Sequence, residues 1–331
     1  MSAIGGMQTA GGGPAAAAAA AGAAHGAPGG PPPAPAATAA TTAMAASEAL
    51  SARFGLAGRK ALVTGGSRGI GRAIAEALCA AGARVYIVAR RGPETGEAVE
   101  EMRARGFDVQ GSAADLSDRE ECAALMEKVK AAFDGELHIL VANAGVNAQA
   151  PTLSYGEGDY RRIVGLNQES TYVLCQLAHP LLAAGARGAG AGAGSSDSGA
   201  GGGGSSGSAR SACIVFISSV AGGPLAGRSG SLYAMSKAAI NQLAKSLACE
   251  WARDGIRVNS VAPWVTLTEM GKQNLTNPAL LEGLLARTPM GRLAEPEDVA
   301  GVAAFLCSPA AAYVTGQTLA VDGGYSVAGY W

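Results

Sequence analysis

The sequence predicts an α/β fold: one doubly wound domain with a seven-stranded parallel sheet and helices on both faces. Three observations predict it. Short apolar runs alternate with helical patterns from Lys60 to Val321, the order expected of parallel strands joined by crossover helices. Runs such as 214–217 are apolar throughout rather than alternating, as strands buried on both faces must be. Finally, the residues with chemical potential cluster just after these runs, at the carboxyl ends of the strands, where such sheets bind ligands.

The chain has 331 residues, and its first 52 contain no Lys or Arg and a single acid, Glu48. A segment of mostly Ala, Gly, Pro and Thr has few large apolar groups to offset the entropy of ordering, so residues 1–55 are expected to be a disordered tail. It lacks the basic n-region of a secretory signal, and as a plastid transit peptide it is poor in Arg and Ser. Met44 offers an alternative start. The expected folded domain is 56–331. From residue 53 on, the chain carries 25 basic and 25 acidic residues, so no global charge recommends nucleic acid or an anionic membrane. No apolar run reaches the length of a membrane span. Six scattered cysteines and three isolated histidines read as reduced core thiols in a cytosol-like compartment and argue against a metal site.

Taken in order, Lys60–Thr64 is a strand, and Gly65-Gly-Ser67-Arg68-Gly69-Ile70-Gly71 follows at once. Ile70, Ile74, Ala77, Leu78 and Ala81 then recur at helical spacing. A glycine turn between strand and helix lets the backbone approach a pyrophosphate at the helix N-terminus. Arg84–Ala89 is the second strand. Where an acid would bind a ribose 2′-hydroxyl, Arg90 and Arg91 stand, and guanidinium groups suit a 2′-phosphate; the bland alternative is that they solvate a strand end. Helices at 94–105 and 120–133 flank a third strand at 107–113, closed by Asp115-Leu116. The fourth strand, 137–142, runs into Asn143-Ala144-Gly145, an ordinary turn or a close backbone approach to a cofactor.

A long helix is expected over 160–182 with Asn167 inside it, a poor mid-helix residue. It reads either as a solvent-facing side chain or as a helix break that holds a water near the site. The stretch 185–210, nearly all Gly, Ala and Ser, is a flexible surface insertion. Strand 214–217 leads to Ser219. After a Gly/Pro-rich loop, Tyr233 and Lys237 open a helix four residues apart, hence on one face. An ammonium beside a phenol favours the phenolate and lowers its pKa, so the pair could pass a proton to or from a carbonyl or alcohol oxygen. Alone, the same spacing also describes a solvated helix face. Strand 256–261 ends in Pro263-Trp264-Val265, a short helix is expected at 280–286, Pro296 opens another, and 317–321 is the last strand.

These pieces together resemble the short-chain dehydrogenase/reductase family, a Rossmann-type fold, over about residues 56 to 328. The resemblance is carried by Thr64-Gly-Gly-Ser-Arg-Gly-Ile-Gly71, Asp115, Asn143-Ala-Gly145, Asn167, Ser219, Tyr233-x-x-x-Lys237 and Asp322-Gly-Gly324. The runs at 247–257 and 305–316 resemble the plant tropinone reductase-like branch. The resemblance implies an NADP(H)-dependent oxidoreductase, with NAD(H) the lesser alternative. Tyr233 is then the general acid, Lys237 lowers its pKa and binds the nicotinamide ribose, Ser219 polarises the substrate carbonyl, and Asn167 holds a relay water. Gly65, Ser67, Arg68, Gly69, Ile70 and Gly71 surround the phosphates and Arg90 the 2′-phosphate. Asp115 and Leu116 lie at the adenine, Asn143, Ala144 and Gly145 at the adenosine ribose side, and Val265 and Thr268 at the nicotinamide amide.

Two departures stand out. Trp264 replaces the family's usual Gly, and Ser219 and Tyr233 are 14 apart, one more than is common, so their loop is expected to bulge. Val146, Ala221, Leu225, Trp264, Leu267 and Met270 form the expected substrate pocket, suited to a small, mostly apolar ketone or alcohol, with Ser219, Trp264 and Leu267 the named contacts. The family further implies a homotetramer or homodimer in the cytoplasm, or in a plastid if the tail is a transit peptide. A 3-oxoacyl-[acyl-carrier-protein] reductase shares every motif, and a non-catalytic cofactor-binding sensor or scaffold is the alternative of another class.

Overall fold

The computed structural model describes residues 39–188, 211–224, 229–272, 275 and 277–329, and the fold below lies within Ala45–Trp331. Most of the expected tail, residues 1–38, lies outside the described residues. Its end departs from the expectation of disorder: Ala39–Phe54 form a helix, α1. Alanine, the strongest helix former, supplies its backbone preference.

The domain then alternates as expected. Strand β1 (Lys60–Thr64) is followed by α2 (Gly69–Ala80), β2 (Arg84–Ala89), α3 (Gly92–Ala104), β3 (Val109–Ala113), α4 (Arg119–Ala132) and β4 (Ile139–Ala142). After the insertion come β5 (Ala212–Ile217), α7 (Ser231–Glu250), β6 (Ile256–Pro263), short α8 (Glu269–Lys272), α9 (Pro278–Ala286), α10 (Pro296–Cys307) and β7 (Thr318–Val321). Local chemistry sets several boundaries. Asp118 caps α4 by accepting from the backbone N–H groups of Glu120 and Glu121, and proline occupies the first turns of α3, α9 and α10, where its missing N–H costs nothing.

The seven strands form one sheet in the order β3-β2-β1-β4-β5-β6-β7, and every pairing is parallel. The chain moves outward from β1 in one direction and from β4 in the other. The β1/β4 boundary is therefore the switch point, where the loops part and leave a crevice. Side-chain alternation divides the core. On β5, Ala212, Ile214 and Phe216 pack on one face with Phe133, Leu174 and Ile240, while Cys213, Val215 and Ile217 pack on the other with Ile74, Val99 and Val299.

The expected helix over 160–182 is longer and interrupted. It comprises α5 (Glu157–Val164), a π-helical turn over Gly165–Glu169 and α6 (Ser170–Arg187). The interruption falls at Asn167, and π turns of this kind are frequent at functional sites. The insertion expected from 185 begins later, since α6 runs to Arg187; residues 189–210 lie outside the described residues. Gly185 belongs to the helix because it packs closely: a Cβ there would stand 2.1 Å from the Leu137 carbonyl oxygen.

Arg257 on β6 is buried without a carboxylate partner among the described residues. Its guanidinium donates to the Leu306 carbonyl (2.8 Å) near the end of α10 and to the Val314 carbonyl (3.2 Å). A cation at a helix C-terminus satisfies carbonyls that the helix leaves open. Arg257→Leu, which strands the Leu306 carbonyl while Asn259 still donates to that of Val314, is expected to lower unfolding free energy by about 1–3 kcal/mol in urea titration.

Candidate active site

The site grows from two strand ends at the switch point. As β1 ends, the Thr64 hydroxyl accepts hydrogen bonds from the backbone N–H groups of Asn143 and Ala144, each 2.9 Å long. The Asn143 side-chain amide returns the contact, donating to the carbonyls of Thr64 (2.9 Å) and Gly65 (3.2 Å). Expected at the adenosine ribose, Asn143 thus commits its amide nitrogen to the glycine turn, although it still lines the cleft. Sequence reasoning missed Thr64 as the partner; a hydroxyl at a strand end is too common a signal. Gly71 explains the tightness of the turn, because a Cβ there would lie 2.2 Å from the Gly65 oxygen and 2.4 Å from the Asn143 amide nitrogen. The first turn of α2 opens onto this crevice and offers unpaired N–H groups to a phosphate.

One end of the crevice is basic. Arg68, Arg90 and Arg91 all line it, and Glu94 lines it beside them. Arg91 is ion-paired to Glu94, and this hydrogen bond holds the Glu94 carboxyl below its usual range. Arg90 and Arg68 are exposed. The Asp115 carboxylate accepts from the Ser117 hydroxyl (2.6 Å) and backbone N–H (3.0 Å). These bonds, with Arg90 nearby, lower its pKa.

At the other end Ser219, Tyr233, Lys237 and Asn167 come together. Ser219 ends β5 with a turn in which its hydroxyl accepts from the Ala221 N–H at 3.1 Å. Its hydroxyl also lies near the Tyr233 phenol, close enough to draw the phenol's pKa down. Lys237 is 4 % exposed; its ammonium lies 5.5 Å from the Tyr233 ring centroid and donates to the Ile217 carbonyl at 2.8 Å. Burial lowers the Lys237 pKa to about 8.

The expected lowering of the phenol by this amine is corrected here. Burial raises the Tyr233 pKa, and the opposing contribution comes from Ser219. The amine sits over the ring and bonds the Ile217 carbonyl, and the low-dielectric surroundings penalise a phenolate.

Asn167, 1 % exposed, is not solvent-facing. Its amide nitrogen donates to the Val146 carbonyl (2.9 Å) and the Ser236 hydroxyl (3.1 Å), and its oxygen accepts from the Val146 N–H (2.8 Å). The π turn thereby fastens the β4 exit to the helix that carries Tyr233 and Lys237. A Cβ on Gly145 would lie 3.2 Å from this amide oxygen and 3.6 Å from the Lys237 nitrogen, so backbone, amide and amine meet at one point.

A single cleft of about 380 Å³ joins the two ends. Gly65, Ser67, Arg68, Gly69, Ile70 and Gly71 line it, as do Arg90, Asp115, Leu116, Asn143, Ala144 and Gly145. So do Ser219, Tyr233, Lys237, Val146, Trp264, Val265, Thr268 and Met270. Asn167 stands behind Val146. Leu267 and Ala221 are not among the lining residues: the backbone of Leu267 is drawn to the Ala294 carbonyl at 2.8 Å, and Ala221 is buried in the turn that Ser219 caps. Leu225, and the bulge expected between Ser219 and Tyr233 at 225–228, lie outside the described residues.

Comparison with known proteins follows the same division. Residues 59–200 match the short chain dehydrogenase family, and residues 205–326 match the family described as enoyl-(acyl carrier protein) reductase. A chloroplastic tropinone reductase homolog of Arabidopsis thaliana is 44% identical over 279 residues, 84% of this chain and 79% of the relative. Among solved structures, a gluconate 5-dehydrogenase from Burkholderia cenocepacia in complex with NADP and tartrate superimposes with a TM-score of 0.74 at 31% identity, covering 85% of this chain and 100% of that one. A 7α-hydroxysteroid dehydrogenase complexed with NADH and 7-oxo glycochenodeoxycholic acid gives 0.72 at 31% identity, covering 83% and 96%.

The buried amine has a measurable consequence. Its folded pKa near 8 lies below the ordinary 10.5, so between those values the unfolded chain binds more protons and stability rises with pH. The penalty is fully present below pH 8 and relieved by pH 10.5. Urea titrations should show wild type gaining up to about 3 kcal/mol relative to Lys237→Met across that interval.

Proposed function

Because the chain belongs to the short-chain dehydrogenase/reductase family, in its plant tropinone reductase-like branch, we propose that it is an NADP(H)-dependent carbonyl reductase acting on small, mostly apolar ketones and the corresponding secondary alcohols. Membership makes it an NAD(P)-dependent oxidoreductase. The observation that carries the finer reading is the meeting of Ser219, Tyr233 and Lys237 in the same cleft as the glycine turn.

The nicotinamide, when bound, supplies or takes the hydride. The protein positions the reactants and manages one proton. In reduction, the Tyr233 hydroxyl gives its proton to the carbonyl oxygen as the carbon gains hydride, and the product is the alcohol. Ser219 donates a hydrogen bond to the same oxygen and favours the charge that builds there. A phenol held above its ordinary pKa by burial is a protonated acid at neutral pH, the form reduction requires. Lys237, titrating near 8, is suited to return the proton to Tyr233, and Asn167 orders the backbone through which a water would complete the relay. The glycine turn and the N-terminus of α2 would hold the pyrophosphate. Arg90, with Arg68 and Arg91, would hold a 2′-phosphate, which supports NADP(H) over NAD(H).

Val146, Trp264 and Met270 give the substrate end its apolar lining. The match of residues 205–326 to a family described by an acyl carrier protein substrate supports a second reading, a 3-oxoacyl-[acyl-carrier-protein] reductase; NADPH oxidation with a pantetheine-linked 3-oxoacyl thioester, set against free ketones, separates the two. The unpaired outer edge of β7 and exposed Tyr160 and Tyr172 on the 157–187 helix favour a homotetramer or homodimer. The reading places the enzyme in the cytoplasm, or in a plastid, as the name of one relative suggests.

Tyr233→Phe should lower kcat for ketone reduction by about 10²–10⁴-fold while NADPH still binds, read by steady-state kinetics and fluorescence titration. Equal rates in the two proteins would end the assignment. Arg90→Ala should raise KM for NADPH about 10–100-fold, the loss of charge-assisted hydrogen bonds, and leave KM for NADH unchanged.

A further inference from the structure

We propose that Tyr325, in the C-terminal segment, sets which ketones the site accepts by holding Trp264 as the wall of the substrate end of the cleft; this rests on the carbonyl-reductase reading above. Trp264 follows directly on β6, and its backbone N–H donates to the Val321 carbonyl of β7 at 3.1 Å. Its ring is half-buried and lines the cleft that contains Ser219 and Tyr233. The Tyr325 ring lies flat against it, with centroids 3.6 Å apart and planes 10° from parallel.

Two observations identify the stack as the constraint. The indole N–H is buried and meets no acceptor among the described residues, so no side-chain hydrogen bond fixes the ring. A buried Trp ordinarily secures its N–H, and here the stack takes the place of that anchor. Tyr325, in turn, stands on a segment tied down by contacts that do not involve the indole. The Asp322 carboxylate accepts from the N–H groups of Gly324 (3.0 Å) and Ser326 (2.8 Å), and the Gly323 carbonyl accepts from the Met290 N–H (3.1 Å). The platform is therefore rigid and the indole follows it. Tyr325 is a positioning residue, and Trp264 the contact: the part of the indole that Tyr325 leaves uncovered limits how bulky a ketone can stand beside Ser219 and Tyr233.

The test uses the full chain and a panel of ketones graded from small acyclic to bicyclic. Kinetics are measured at saturating NADPH, and binding of the same ketones to the enzyme–NADP⁺ complex by calorimetry. Tyr325→Ala should shift KM and Kd about three- to tenfold, as loss of one aromatic stack allows. The shift should be graded by size, tighter for bicyclic ketones and weaker for the smallest. kcat and NADP⁺ affinity should stay within about twofold by the same measure. The near-ultraviolet circular dichroism of the stacked rings should be lost. Tyr325→Phe, which keeps the ring, should behave as wild type throughout. Should Tyr325→Ala fail to fold, Tyr325→Leu keeps apolar cover without the stack and must show the same graded shift.

A profile that is unchanged, that shifts equally for every ketone, or that moves with NADP⁺ affinity overturns the inference, as does a wild-type complex that binds none of the panel. If wild type binds the ketones with the Tyr325-dependent profile yet turns none over, the reductase reading fails and this one stands. If wild type reduces them and Tyr325→Ala leaves the profile flat, the reverse holds.

Discussion

The buried amide of Asn167 joins three parts of the molecule that no strand pairing joins. It belongs to a π turn in the 157–187 helix, it binds Val146 through both its N–H and its carbonyl, and it reaches Ser236 on α7. Val146 follows the loop that buttresses the glycine turn, and Ser236 neighbours Lys237. One side chain, with its hydrogen bonds satisfied inside the protein, thus adds to the sheet's own pairings a direct tie between the two ends of the cleft. Buried polar networks specify geometry well when every member is paired, and here the specified geometry relates the end of the cleft at the glycine turn to the end that holds Tyr233 and Lys237.

The electrostatics follow from the same burial. A phenol pushed up from its ordinary 10.0 and an amine pushed down from 10.5 to about 8 are driven apart on the proton scale, so the amine gives up its proton well before the phenol does. Among the described residues neither group has a carboxylate against it; the amine binds a main-chain carbonyl and the phenol stands near a serine hydroxyl. The shifts therefore come from desolvation, a property of the packed fold. The arginine-rich end of the cleft is the converse case. There the charges are exposed, and Arg91 already has Glu94 as its partner.

Much of this was legible in the residues, for identifiable reasons. Buried parallel strands have to be apolar on both faces, so the five inner strands stood out; the part-exposed edge strands β3 and β7 were placed by the strand–helix alternation, and all ends lie within about two residues of those observed. The glycine turn was legible because a Cβ at Gly71 has nowhere to go. Tyr233 and Lys237 were legible because four residues is one helical turn. What could not be read depends on contacts distant in sequence. The amide of Asn143 answers to Thr64, 79 residues away. Helical period alone does not reveal that the turn at Asn167 widens to a π turn. Burial reversed the expected sign of the Tyr233 shift, and burial depends on the assembled fold. Leu267, expected among the apolar pocket residues, is not among those that line the cleft, and its backbone N–H is committed to the Ala294 carbonyl. The end of the tail showed that poor core-forming composition does not preclude local helix when alanine dominates.

The Gly/Ala/Ser-rich stretch leaves the fold after α6 and returns just before β5. In a parallel sheet those points lie at the amino ends of the strands, opposite the crevice. Its return is anchored, since the Arg59 guanidinium donates to the Ser211 carbonyl at 2.9 Å. The chain consequently carries a natural splice port on the side of the molecule remote from its chemistry. A graft of a tag or reporter module between the flanking residues Gly188 and Ser211 would therefore join the fold on the face away from the crevice.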